Sequence, residues 1–165
     1  MMPAEENLLD RLMNEYGDDI LRVCCLYLKD YHLAEDAVQE TFIRAMRSYG
    51  GFEHRSKEKT WLTRIAVNCC KNILRNRWYR TGMDELDENL SVQGNDPVEQ
   101  LIEQEGISQG ILRLDPEERE IILLYYYQEL RMKEIASIIG TSENAAGQRL
   151  SRARKKLRRI LEGEA

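Results

Sequence analysis

The sequence predicts an all-α chain made of two small helical domains joined by a flexible acidic linker. Three observations carry that reading. Proline and glycine are scarce, at 3 and 10 of 165 residues, and apolar residues recur at helical rather than strand spacing. One stretch near the middle loses that periodicity while gathering glycine, proline and acid. Near the C-terminus, two short helical patterns meet at a glycine, Gly140.

Leu8 to Leu28 reads as a long amphipathic helix, followed by a break around Lys29–His32. Leu33 to Tyr49 is a second helix with acidic and amide groups at its start, stopped by Gly50-Gly51. Phe52 to Ser56 is a loop, and Lys57 to Arg80 a third helix. Thr81 to Pro97 reads as a linker; its 17 residues span up to about 55–60 Å when extended. Helices then resume at Val98–Leu114, and a turn at Asp115-Pro116 places proline at the first position of Glu117–Gln128.

The run from Lys133 to Leu157 has the form of a helix-turn-helix. Ala136 lets two helices approach, Gly140 supplies a left-handed turn residue, and Ser142 can cap the second helix with Glu143 at its positive end. At about 100° per residue, Ala146, Leu150, Ala153, Leu157, Ile160 and Leu161 share one arc of the second helix. Asn144, Gln148, Ser151, Arg152, Lys155 and Arg159 share the opposite arc, flanked by Arg149, Arg154 and Lys156. An apolar stripe toward the domain and base-reading groups away from it suit the major groove of duplex DNA, with the flanking cations on phosphates. The plain alternative is a packed helical hairpin with a solvated basic face. Gly147, in mid-helix, either permits a close backbone approach or weakens the helix by about 1 kcal/mol.

The net charge of −5 argues against nucleic acid until it is divided along the chain. Residues 55–80 carry 8 basic and 1 acidic group, and residues 131–161 carry 9 and 2; the 81–105 stretch between them has 8 acids and no base. Two basic blocks imply two nucleic-acid contacts. On the third helix, Leu62, Ile65, Ala66, Cys69 and Ile73 share one face; Arg64, Asn68, Lys71, Asn72 and Arg75 occupy another, with Trp61 at its edge. Asparagines among cations beside an indole suit unpaired bases better than an intact duplex. Trp61 is equally readable as a core residue.

Four cysteines come as adjacent pairs, Cys24-Cys25 and Cys69-Cys70, a poor zinc spacing with only two histidines to complete a site. They read as small buried hydrophobes in a reducing compartment. No segment resembles a signal peptide, and the longest apolar run, Ile121 to Tyr127, is too short to cross a bilayer. The expectation is a cytoplasmic protein without metal, cofactor or small-molecule substrate. No phosphate loop, carboxylate cluster or nucleophile arrangement points to an enzyme.

Three blocks in this order, Ala34-Glu-Asp-Ala-Val-Gln-Glu-Thr-Phe-Ile-Arg-Ala45, Thr60-Trp-Leu-Thr-Arg-Ile-Ala-Val-Asn-Cys-Cys-Lys-Asn72, and Leu114-Asp-Pro-Glu-Glu-Arg-Glu120 leading into the helix-turn-helix, resemble a bacterial RNA polymerase sigma factor of the extracytoplasmic-function type. The resemblance covers nearly the whole chain. It implies a sigma region 2 over residues 1–80, a linker over 81–97 and a sigma region 4 over 98–165. Asp36, Gln39, Glu40 and Arg44 match positions that dock on the β′ clamp helices of core polymerase, and region 4 is expected at the β flap. Phe52, Arg55, Lys57, Trp61, Arg64, Asn68, Lys71, Asn72 and Arg75 match the part that melts the −10 element and holds a flipped base. Asn144, Gln148, Arg149, Ser151, Arg152, Arg154 and Lys155 would read the −35 element as duplex. The family also implies an anti-sigma factor as partner and a role in stress-responsive transcription. Two departures stand out: Gly147 where many relatives carry Lys or Arg, and the Cys69-Cys70 pair in place of small residues. A stand-alone helix-turn-helix repressor or activator is the alternative, but it leaves the third-helix face and the acidic second-helix face without a task.

Overall fold

A computed structural model of the chain describes residues 4–53, 57–81 and 106–163, and among them every regular element is helical. The chain divides into two compact units, Met1–Val98 and Glu99–Ala165. Apart from Thr81, which ends a helix, the expected linker lies outside the described residues, as does the 98–105 part of the expected fourth helix.

In the first unit, α1 (Ala4–Leu28), α2 (Tyr31–Ser48) and α3 (Glu58–Thr81) pack pairwise on one another. The early turns of α1 are amphipathic, with Leu12 buried and Met13 exposed. From Val23 to Leu28 all residues are buried, so this end of the helix is enclosed on every side. The break that follows takes only two residues. Lys29 adopts a left-handed φ of 55°, and its N–H donates to Cys25 O at 2.8 Å; Asp30 is extended, and its carboxylate accepts from Leu33 N–H at 3.0 Å. That cap starts α2 at Tyr31, two residues before the periodicity predicted. Gly50-Gly51 does not stop the chain at once: Tyr49–Gly51 form a 3-10 turn, closed by Phe52 N–H donating to Tyr49 O at 3.0 Å.

In the second unit, α4 (Gly106–Leu112) and α5 (Pro116–Ile122) lead to α6 (Met132–Ile139) and α7 (Glu143–Leu161). Pro116 opens α5 as predicted, and the Glu118 carboxylate turns back to accept from Asp115 N–H at 3.0 Å. The single helix expected over Glu117–Gln128 is corrected: after Ile122 the backbone widens into a π-helical turn, Leu123–Tyr127. Gln128 N–H reaches Leu123 O at 3.1 Å, and Glu129 turns the chain out with φ 55°. Leu123 and Leu124 are both fully buried there.

Gly140 closes α6 with φ 75°, and Ser142 Oγ accepts from Ala145 N–H at 3.1 Å to open α7. α7 packs on α4, α5 and α6. At one end Gly110 of α4 lies close against α7: a Cβ there would lie 2.9 Å from Leu157 Cδ1, so the leucine side chain would have to shift. A Cβ on Gly147 would meet nothing within 4 Å, so no close approach within the unit requires this glycine.

Candidate nucleic-acid interface

The outer face of α2 places the first candidate group together. Asp36, Gln39 and Arg44 are exposed and Glu40 is half-exposed, above buried Ala34, Ala37, Phe42 and Ala45. Arg44 Nε donates to Glu40 Oε1 at 2.9 Å, one turn apart, so these two charges offset each other and the net negative charge rests on Glu35 and Asp36. Ile43, 45% exposed, adds an apolar element to the same helix.

On α3 the residues 61, 64, 68, 71, 72 and 75 recur at three- and four-residue spacing, which aligns them along one side. Arg64, Asn68 and Arg75 are exposed, and Lys71 and Asn72 are half-buried. The buried side is broader than the sequence indicated: Thr63, Val67 and Cys70 join Leu62, Ala66 and Cys69 in the core, while Ile65 and Ile73 are only half-buried. Both cysteine pairs are free thiols inside this core. Burial pushes the Cys69 thiol up, and a hydrogen bond with Cys24 together with burial holds Cys70 well above the ordinary thiol range. Among the described residues no three metal-ligating side chains converge, and no described helix is long and apolar enough to cross a membrane.

Trp61 belongs to neither of its two sequence readings alone. It is half-buried and stacked on Phe52, with ring centroids 4.7 Å apart at 28°, and Tyr49 meets its edge at 5.8 Å and 74°. The cluster has an aromatic surface at the margin of the core beside the polar stripe. Lys57 is exposed just before α3, and Arg55 lies outside the described residues.

Sequence reasoning missed what fastens this corner. Glu58, the first residue of α3, receives both Arg11 nitrogens, Nη1 to Oε1 at 3.0 Å and Nη2 to Oε2 at 2.8 Å. Tyr49 Oη donates to Oε2 at 2.6 Å and Tyr16 Oη to Oε1 at 3.1 Å. These donors hold the carboxyl at about 2, Arg11 first, and against the opposing cost of burial. Burial and the same carboxylate push the Tyr16 phenol up to about 12. One signal was available: Glu58 is the only acidic residue in the 55–80 block.

On α7 the structure separates the candidates. Asn144, Gln148, Ser151, Arg152 and Lys155 are exposed, Arg149 is half-buried, and Ala146, Leu150 and Ala153 form the buried stripe. Leu161, expected on the apolar arc, is 45% exposed at the end of the helix. Arg154 is exposed but engaged: its Nε donates to Tyr126 Oη at 2.8 Å, and its guanidinium lies 4.9 Å from the Tyr125 ring centroid. Lys156 ties α7 to the start of α5 through Glu118 at 2.9 Å and Asp115 at 3.2 Å.

With this geometry in hand, comparison with known proteins gives two family matches. Residues 12–80 match the family described as Sigma-70 region 2, and residues 104–157 match Sigma-70, region 4. The chain is 34% identical over 156 residues to the ECF RNA polymerase sigma factor SigM of Bacillus subtilis, covering 92% of this chain and 94% of that protein. It is 30% identical over 175 residues to the ECF sigma factor SigG of Mycobacterium tuberculosis, covering 88% of this chain but only 46% of the longer relative. In fold it is similar to the sigma factor RpoE of Bartonella quintana, solved with the anti-sigma factor NepR, with a TM-score of 0.63, 22% identity and coverage of 95% and 98% of the two chains.

Proposed function

The chain belongs to the extracytoplasmic-function sigma factors of RNA polymerase, and we propose on that premise that it is an alternative initiation factor with the following division of labour. Residues 1–80 bind core polymerase and open the −10 element, 81–97 link, and 98–165 bind the −35 element. Asp36, Gln39, Glu40 and Arg44 dock on the β′ clamp helices, and the 98–165 part engages the β flap. Phe52, Arg55, Lys57, Trp61, Arg64, Asn68, Lys71, Asn72 and Arg75 form the −10 surface. There, stacking and polar capture of unpaired bases offset the lost base stacking of the duplex. Asn144, Gln148, Arg149, Ser151, Arg152, Arg154 and Lys155 form the −35 surface, with Arg152 on a base edge and Arg154 on a phosphate. The factor works in the cytoplasm and catalyses no reaction of its own. As the related RpoE was solved with an anti-sigma factor, a protein inhibitor is proposed for this chain too.

One observation carries the reading: a single chain holds two differently built basic helix faces, one of amides and cations beside an aromatic cluster, the other a recognition helix after a glycine turn. A stand-alone duplex-binding repressor would use only the second. The test is transcription in vitro from a fragmented genomic library, with core polymerase alone and with the protein added. New transcripts sharing two upstream elements are expected. Duplex binding by the protein alone, without new transcripts, would reduce it to a repressor or activator.

A further inference from the structure

The side-chain network around Glu58 contains no residue assigned to polymerase or DNA, yet through Tyr49 it meets two that are, Trp61 and Phe52. Glu58 lies one turn before Trp61 on α3, so the two side chains share a side of the helix. Tyr49 spans both. Its hydroxyl donates to Glu58 Oε2 at 2.6 Å and accepts from Arg11 Nη2 at 3.3 Å, while its ring meets Trp61 at 5.8 Å and Phe52 at 5.9 Å. Arg11 and Tyr16, from α1, complete the set around a carboxylate whose side chain is only 17% exposed.

Beyond the stability it contributes, this arrangement has an orienting effect. The 3-10 turn is already closed by its own backbone bond. What the network adds is a fixed direction for the Tyr49 ring. A tyrosine held only by ring contacts keeps freedom about its side-chain torsions; one whose hydroxyl is shared by a carboxylate and a guanidinium does not. Because Tyr49 meets the edge of Trp61, its orientation limits where the Trp61–Phe52 stack can sit.

We propose that Glu58 and Tyr49 are positioning residues for promoter opening, with the Arg11–Glu58–Tyr49 network setting the Trp61–Phe52 stack in the geometry that receives an unpaired base. The inference rests on the −10 role given above to Trp61. The network holds the stack in its receiving geometry before DNA arrives, so less ordering remains when the base is captured.

The test uses the full chain with core polymerase on a promoter recovered by the transcription experiment, separating closed-complex affinity from the rate of opening. Tyr49→Phe removes one hydroxyl and keeps the ring. It should slow opening about five- to tenfold, the net worth of a typical lost hydrogen bond, and leave closed-complex affinity unchanged. Trp61→Ala should slow opening by at least as much. In the Trp61→Ala background, adding Tyr49→Phe should change the rate by less than roughly twofold, because the hydroxyl acts through the indole. Glu58→Gln should reproduce the Tyr49→Phe split. Equal slowing by Tyr49→Phe in both backgrounds, or a matching loss of closed-complex affinity, would overturn positioning and leave a fold-stabilising network. If Trp61→Ala opens at the normal rate, the −10 assignment of Trp61 falls, and the positioning proposal with it. If Trp61→Ala is slow while Tyr49→Phe and Glu58→Gln are not, positioning alone falls.

Discussion

The two basic helices, α3 and α7, are built into their units in opposite ways. α3 buries Leu62, Thr63, Ala66, Val67, Cys69 and Cys70 and shows a narrow polar stripe with an aromatic cluster at one end. α7 buries Ala146, Leu150 and Ala153, two of the three being alanine, and presents most of its circumference. A slim contact with small residues leaves a helix proud enough to enter a groove; a broad contact makes a helix a wall, able to hold something laid against it. Basic charge alone does not distinguish these uses. In the division of labour proposed above, the width of the buried side does.

Core truncation offers the largest effect with which to break the comparison. Leu62→Ala should destabilise the first unit by about 2–5 kcal/mol, because a fully buried leucine leaves a cavity. Hydrogen exchange of the amides in α1–α3 would report it; unaltered protection there would mean that α3 is not the wall described.

Acid should act next, and on the first unit through Glu58. Its carboxyl is held at about 2, below its ordinary value of 4.5, so the folded state prefers the charged form. The associated stability is present above about pH 4.5 and is lost as pH falls toward 2, amounting to about 2–3 kcal/mol. Glu58→Gln should flatten that part of the stability–pH curve. A curve with the same slope in the variant would assign the acid sensitivity to other carboxylates.

For α7, Arg152→Ala should weaken binding to the −35 duplex by about 1–3 kcal/mol and barely affect random duplex, as expected of a bidentate base contact. Equal losses on both, seen by titration at fixed salt, would make Arg152 a phosphate contact like that proposed for Arg154. The smallest effect belongs to Gly147→Ala, which should stabilise the second unit by up to about 1 kcal/mol, since the new Cβ meets nothing. If thermal unfolding shows that gain while −35 affinity falls, the open space at Gly147 is needed by DNA rather than by the fold.

Local chemistry explains which features were legible. The Asp30–Leu33 cap, Pro116 at a helix start, Gly140 at φ 75° and the Ser142 cap each depend on a few neighbouring residues, and all but the Asp30 cap were readable from those residues. Asp30 was absorbed into a longer break because nothing local showed that Lys29 alone would take the left-handed turn. The Glu58 network joins residues 47, 42 and 9 apart in sequence, so only tertiary packing reveals it, although a lone acid in a basic block was a visible oddity. The π-helical turn at Leu123–Tyr127 was hidden because an unbroken apolar run has no phase. Tyr125 and Tyr126 fell in that run, which is why the partners of Arg154 were missed.

The central claim is that α3 opens DNA and α7 reads it, and permanganate reactivity of the −10 thymines tests it most directly. Holoenzyme carrying Asn68→Ala or Arg152→Ala would be compared on a duplex promoter and on the same promoter pre-melted at −10. The account predicts that Asn68→Ala loses far more on the duplex than on the pre-melted template, while Arg152→Ala loses occupancy on both. Two variants that fail alike on both templates would contradict the division of labour.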